Sequence, residues 1–116
     1  MRKTGPTRAV VKLVMVRSGG GCERCGGRGD QIHHRIPRGM GGSRLADINA
    51  PSNLLHLCEH CHGDIESHRS AGYVYGWLVH RWDVPLSVPL KLHHGAWVFL
   101  DDLGRYVSAN PEGVAA

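Results

Sequence analysis

The chain has 116 residues, 41% of them hydrophobic, and a formal net charge of +4. This length suits a single domain over residues 1–116, and the modest apolar content favours a small core that a bound metal helps to hold together. No run approaches the roughly 20 apolar residues of a membrane span, and the basic start of the chain has no cleavage site behind it. We therefore expect a cytoplasmic protein with no membrane partner.

The charge is concentrated in the first part of the chain. Residues 1–44 hold ten Lys and Arg residues and two acidic residues, whereas residues 45–116 hold four basic and eight acidic residues. A basic segment of this kind suits a partner with a phosphate backbone. A solvated basic surface has the same composition, so the charge balance alone leaves both alternatives open.

The first predicted elements are a helix and a hairpin. Residues 8–17 follow Thr7, a candidate N-cap, and fit a helix or a strand because their valines weaken the helical preference; we adopt the helix. Residues 30–36 and 54–57 predict two short strands that pair as a hairpin with a long loop. Residues 59–71 then predict a second helix.

The tail, about residues 73–109, is rich in aromatic residues. Residues 73–79 and 96–100 are strand-like, and residues 105–107 predict a return strand after the turn at 101–104. We expect this C-terminal β-hairpin to complete the core. The predicted fold class is therefore α+β.

The four cysteines form two Cys-x-x-Cys pairs, Cys22/Cys25 and Cys58/Cys61, separated by 32 residues. Two such pairs supply the four thiolates of a structural zinc site, although the gap exceeds the roughly 15–20 residues of a zinc ribbon. A redox-active motif is the alternative, but it normally lies beside a βαβ pattern, which this chain lacks. In a reducing cytosol the pairs predict bound zinc and not disulfides.

Two adjacent histidines, His33 and His34, lie between the cysteine pairs. Adjacent side chains on an ideal strand point to opposite faces, so both serve one site only if the backbone departs from the pleat. Pro37 and the nearby glycines favour such a departure. One imidazole then holds a divalent metal ion while the other, neutral near pH 7, takes a proton from water. Two unrelated surface histidines, in a chain with nine, are the alternative.

The order of these residues resembles the HNH nuclease family, whose fold is a ββα-metal finger, also called a His-Me finger. Residues 30–42 (DQIHHRIPRGMGG) and 53–62 (NLLHLCEHCH) look like the zinc-stapled HNH proteins of tailed phages and prophages. The likeness is firm over about residues 22–70, which places the finger at about 22–72, and looser over the tail. It implies a metal-dependent endonuclease that hydrolyses DNA phosphodiester bonds.

The resemblance also implies roles for individual residues. His34, the second member of the pair, takes the position of the general base, and His33 takes that of a metal ligand. His62, nine residues after the central Asn53, takes the position of a second ligand. Asn53 either orients the base by hydrogen bonding or binds the metal, and the sequence leaves both alternatives open.

The chain departs from the family pattern at Glu66, where several relatives have another histidine. On a helix Glu66 shares a face with His62, and a carboxylate oxygen suits Mg²⁺ or Mn²⁺ better than an imidazole does. A surface glutamate paired with a neighbouring arginine is the alternative. The catalytic ion expected from the resemblance is Mg²⁺, Mn²⁺ or Ni²⁺.

The implied mechanism uses one metal ion and leaves 5′-phosphate and 3′-hydroxyl ends on double-stranded DNA, with weak sequence preference. Arg35, Arg38 and Arg44 are candidates for contacts to backbone phosphates, or are simply solvated. Assistance to a phage packaging terminase, in the cytoplasm of a host cell, is a further implication of the resemblance alone. A zinc-stabilised DNA-binding module without catalysis and a protein-interaction zinc domain are the rival functions.

Overall fold

The computed structural model describes residues 5–37 and 48–109. Within these ranges the chain forms three α-helices and two antiparallel sheets, so the α+β prediction is confirmed. In chain order the elements are α1 (Arg8–Ser18), β1 (Gln31–His34), β2 (Leu54–Leu57), α2 (Glu59–Ser67), α3 (Arg69–Val74), β3 (Leu90–Lys91), β4 (Trp97–Leu100) and β5 (Tyr106–Ser108). None of the helices in the described ranges is long and apolar enough to cross a membrane.

Local capping decides that residues 8–18 form a helix and not a strand. The Thr7 side chain accepts a hydrogen bond from the backbone N–H of Val10 at 3.2 Å, which satisfies a donor that the first turn leaves open. Gly19 ends the helix in the left-handed conformation, with a φ of 66°. Val14 is the one fully buried residue of α1, which fits an amphipathic helix lying on the surface of the core.

The hairpin of β1 and β2 leads directly into α2. His33 pairs with Leu55 and His34 with Leu54, so the register sets the two histidines beside the start of β2. Every residue of β2 is buried. α2 begins immediately after Cys58, whose sulfur accepts from the Cys61 N–H at 3.3 Å and acts as the N-cap.

The predicted single helix over residues 59–71 is divided in two. His68 leaves the helical conformation, with φ −131° and ψ 63°, and α3 continues from Arg69. The predicted strand over residues 73–79 is wrong, because Tyr73 and Val74 belong to α3. Gly76 then turns the chain with a φ of 77°, and a Cβ there would lie 2.0 Å from the Pro89 carbonyl oxygen.

The second sheet has three strands in the order β3-β4-β5. The predicted return strand after the turn at 101–104 is present, with Leu100 paired to Tyr106, and β3 adds a strand on the other side of β4. Its inward side chains join those of the hairpin and α2 in one core, which includes Leu55, Leu57, Ile65, Leu78, Leu90, Val98 and Leu100. The hairpin, α2 and the tail are therefore packed around a shared core.

A buried arginine joins the finger to the tail. Arg35, directly after β1, is 0% exposed, and its guanidinium donates four hydrogen bonds of 2.7–3.2 Å. Burial lowers the pKa of Arg35 to about 9, assisted by the positive charge of Arg17 and opposed by Glu23. The four bonds end on backbone carbonyls of Ser52, Gly76, Pro85 and Val88.

We predict that Arg35→Met lowers the free energy of unfolding by about 3–5 kcal/mol, because the buried carbonyls lose their donor. Urea unfolding of the zinc-loaded protein measures the change. Arg105→Met is the matched control, since it removes an arginine whose ion pair with Asp101 is exposed, and it should cost less than about 1 kcal/mol. Equal stability of the two variants would contradict the anchoring role of Arg35.

Candidate metal centres

The four cysteines lie together, with sulfur atoms within 4.8 Å of one another. Backbone N–H groups point at three of the sulfurs: Cys25 to Cys22 Sγ at 3.5 Å, Gly27 to Cys25 Sγ at 3.4 Å and Cys61 to Cys58 Sγ at 3.3 Å. Such donors stabilise thiolates. The cluster is therefore one that could hold a metal ion such as zinc.

The protonation of the cysteines also fits a cation site. Burial raises the pKa of Cys61 to about 12, whereas backbone N–H donors outweigh burial and bring the pKa of Cys22 down to about 7. Four thiolates at this spacing repel one another, so a divalent cation is the group that lets all of them ionise. Arg24 also lies here, and its contacts with Cys61 and Asp64 outweigh burial and raise its own pKa.

A second cluster combines two imidazoles and a carboxylate. One ligand atom each from His33, His62 and Glu66 lie within 4.8 Å of one another. His33 is 2% exposed, and its ring meets that of His62 edge to face with centroids 5.2 Å apart. We call these three residues the triad. Glu66 Oε1 also accepts from Arg69 Nη1 at 2.8 Å, which is the contact expected of a surface glutamate paired with a neighbouring arginine.

Two neighbouring oxygens determine the tautomers of the triad histidines. His33 Nε2 lies 2.9 Å from the Trp77 carbonyl oxygen, and His62 Nδ1 lies 2.6 Å from Gln31 Oε1. An oxygen of this type only accepts, so each of these nitrogens carries the proton. The lone pairs are then on His33 Nδ1 and His62 Nε2, which is the arrangement that metal-binding histidines require.

The triad opens onto a cavity of about 250 Å³, lined by Ile32, His33, His34, Pro37, His62 and Glu66. Both adjacent histidines thus line one cavity, although both belong to the regular strand β1. Burial, with smaller contributions from the charges of His62, His34 and Arg35, lowers the pKa of His33 to about 4. A neutral His33 is the form that binds a metal ion.

His34 is oriented by a residue that the sequence did not indicate. Its Nε2 lies 2.8 Å from Asn49 Oδ1, so this nitrogen donates and the lone pair is on Nδ1. An acceptor on the far side of an imidazole holds the ring in place and stabilises its protonated form. His34 and Asn49 therefore have the arrangement of a proton acceptor and its orienting partner.

Asn53 is fully buried and does not make this contact. Its Oδ1 accepts from the backbone N–H of Ile36 at 2.9 Å, and its Nδ2 donates to the Ile48 carbonyl at 2.8 Å. Both groups of the amide are therefore used by backbone atoms. A hydrogen bond that orients His34, one of the two alternatives for Asn53, is made in this structure by Asn49, and Asn53 holds the residue that precedes Asn49.

The structure bears on one of the three predicted phosphate contacts. Arg35 is buried and donates its hydrogen bonds to carbonyls, so the prediction that it contacts DNA phosphates is wrong for this fold. Arg38 and Arg44 lie outside the described residues.

Sequence reasoning missed Gln31 and Asn49, since no local pattern distinguishes an orienting amide from a solvated one.

Comparison with known proteins finds no matching family model, no matching curated protein and no matching solved structure. The geometry of the two clusters is therefore the basis for any functional conclusion.

We predict that Cys58→Ser reduces zinc bound to the purified protein and destabilises the fold, because a serine hydroxyl can still cap α2 but does not replace the thiolate ligand. Metal analysis and thermal unfolding give the two readouts. A variant that keeps stoichiometric zinc and the unfolding temperature of the original protein would contradict a structural metal at the cysteine cluster.

We predict that Glu66→Ala weakens Mn²⁺ binding to the zinc-loaded protein by more than about tenfold, the loss typical even of an outer partner of a metal ligand. Titration calorimetry measures the affinity. Arg69→Ala is the matched control, because it breaks the same ion pair and leaves the carboxylate. Equal losses in both variants would mean that the ion pair, and not metal ligation, accounts for the effect.

Proposed function

We propose that this protein is a metal-dependent DNA endonuclease of the HNH type that hydrolyses phosphodiester bonds with His34 as general base. The observation that supports the proposal most is a single cavity lined by His33, His34, His62 and Glu66. Metal-ligating atoms and a candidate base thus meet where a phosphate could enter. The HNH-like order of the same residues in the sequence is the second support.

The donor set of the triad fits a divalent ion. When bound, the ion would supply positive charge to the phosphate oxygens and to the departing 3′ oxygen. Two imidazoles and one carboxylate suit Mn²⁺ or Ni²⁺ better than Mg²⁺, which prefers oxygen ligands. Three protein ligands leave coordination positions for water and substrate, unlike the four sulfurs of a closed structural site.

In this proposal His34 takes the proton of the attacking water at Nδ1. The positive charge that develops on the ring is stabilised through Nε2, which donates to Asn49 Oδ1 at 2.8 Å. Asn53 acts on His34 only indirectly, because its hydrogen bond to the Ile48 carbonyl holds the backbone next to Asn49. His34 is then the catalytic base, and the two asparagines are positioning residues.

Double-stranded DNA is the proposed substrate because residues 1–44 hold ten basic and two acidic residues, and eight basic and one acidic remain when the buried Arg17, Arg35 and Glu23 are left out. A polyanion gains affinity from such a segment through counterion release. Phosphate contacts carry no sequence information, so we expect weak sequence preference.

Zinc at the cysteine cluster would fix the start of α2 and with it the positions of His62 and Glu66. Assistance to a packaging terminase is proposed from the resemblance alone.

The test is nicking of supercoiled plasmid by the zinc-loaded protein with Mg²⁺, Mn²⁺, Ni²⁺ or EDTA. We expect metal-dependent nicking that falls by about 10²–10⁴-fold in His34→Ala, the usual contribution of a general base. His94→Ala is the matched control, since His94 is an exposed histidine in the turn between β3 and β4, and its rate should stay within about twofold.

The outcomes separate the proposal from its rivals. Equal activity of His34→Ala and the original protein would mean that the base is misassigned or that a contaminant cuts. No cutting by any of the proteins, with DNA binding intact, would favour a zinc-stabilised DNA-binding module. No affinity for DNA at low salt would favour a protein-interaction domain.

A further inference from the structure

Arg24 lies inside the first Cys-x-x-Cys pair and reaches away from it toward the tail. Its Nη2 donates to Asp64 Oδ2 on α2, and its guanidinium carbon lies 4.5 Å from the centre of the Trp77 ring. Its Nε is the one buried side-chain nitrogen or oxygen in the described ranges that lacks a hydrogen bond, and the guanidinium also contacts Cys61. A guanidinium in this position contacts the cysteine cluster, α2 and Trp77 at once.

Trp77 connects this arginine to the triad. The indole N–H donates to the Lys91 carbonyl at 2.9 Å, and the ring stacks on Tyr75 with centroids 4.9 Å apart. The backbone carbonyl of the same residue accepts from His33 Nε2 at 2.9 Å. The ring therefore packs under Arg24 while the carbonyl sets the tautomer and the direction of a metal ligand.

We propose that Arg24 is a positioning residue that couples the cysteine cluster to the triad through Trp77. The inference rests on the proposed function, since it concerns metal binding at the triad. The cysteine cluster fixes the backbone of Arg24, the cation–π contact fixes the Trp77 ring, and the Trp77 carbonyl then holds His33 with its Nδ1 toward the metal position.

The contact uses properties that only arginine supplies. Its planar guanidinium stacks on a ring and forms an ion pair at its edge at the same time, whereas lysine offers a compact charge without a plane. The Asp64 carboxylate holds the edge of the guanidinium, which also contacts Cys61. A thiolate at Cys61 in the metal-loaded cluster would accept a hydrogen bond from the guanidinium.

The test compares Arg24→Met and Trp77→Leu with the original protein, each as the full chain loaded with zinc. Mn²⁺ titration by calorimetry reports affinity at the triad, and the ¹⁵N shifts of His33 report whether Nε2 stays protonated. We expect about tenfold weaker Mn²⁺ binding in each variant, with His33 losing its single tautomer. The double variant should lose little more than either single one, because both act through one contact.

Arg105→Met is the matched control, because it removes an arginine that is paired with an aspartate on the exposed turn before β5. Its Mn²⁺ affinity should equal that of the original protein. Trp77→Leu leaves the cysteine pairs untouched, so it decides the question even where Arg24→Met loses zinc. Arg24→Lys keeps the charge, and we expect it to restore less than half of the lost affinity on the logarithmic scale.

Two results would overturn the inference in different ways. If Mn²⁺ binds the original protein and depends on Glu66, yet binds Trp77→Leu and Arg24→Met equally well, the coupling is wrong and the proposed function stands. If neither Mn²⁺ nor Ni²⁺ binds the original protein, the proposed function fails and the inference falls with it.

Discussion

The structure depends on a buried ion pair between Arg17, at the end of α1, and Glu23, within the first cysteine pair. Both side chains are 1% exposed, and two hydrogen bonds of 2.9 Å join them. Each charge also bonds to other elements: Arg17 donates to the carbonyls of Pro51 and Leu54, while Glu23 accepts from the His56 N–H and the Tyr106 hydroxyl. A buried pair is favourable only when the remaining polar groups are satisfied in this way. The pair consequently holds α1, the first cysteine pair, β2 and β5 in one arrangement.

The triad histidines are held by a similar use of fixed polar groups. Carbonyl or amide oxygens of Trp77, Gln31 and Asn49 accept hydrogen bonds from the two histidines of the triad and from His34. A neutral acceptor fixes which nitrogen carries the proton without adding a charge that would compete with the metal ion. Because Trp77 lies in the tail, an isolated finger over residues 22–72 would lack the acceptor for His33. The tail is thus part of the candidate site as well as of the core.

Local sequence patterns predicted those parts of the fold that residues close together in the sequence determine. The two Cys-x-x-Cys pairs, the hairpin and the helix after Cys58 follow from spacing and capping, and they brought the cysteine cluster and the triad together as expected. The strand predicted over residues 73–79 failed because Tyr73, which packs against the core, continues α3 despite the β preference of tyrosine and valine. Arg35 was misread as a surface arginine because the carbonyls that bury it lie 17 to 53 residues further along the chain. Contacts between residues so far apart in the sequence cannot be predicted from the local composition around Arg35.

The two clusters share a single short helix, and this gives the cysteine cluster a role beyond holding the chain together. α2 has nine residues, fewer than the roughly 12–15 that an isolated helix needs to be even marginally stable in water. Its first turn contains Cys61 and is capped by Cys58, and the following residues on its surface include His62 and Glu66. A metal ion bound by the cysteines would nucleate the helix at its N-terminal end, and burial of Ile65 would hold it against the core. His62 and Glu66 therefore lie beside His33 only while the helix is folded, so in the proposed function the cysteine cluster supports metal binding at the triad.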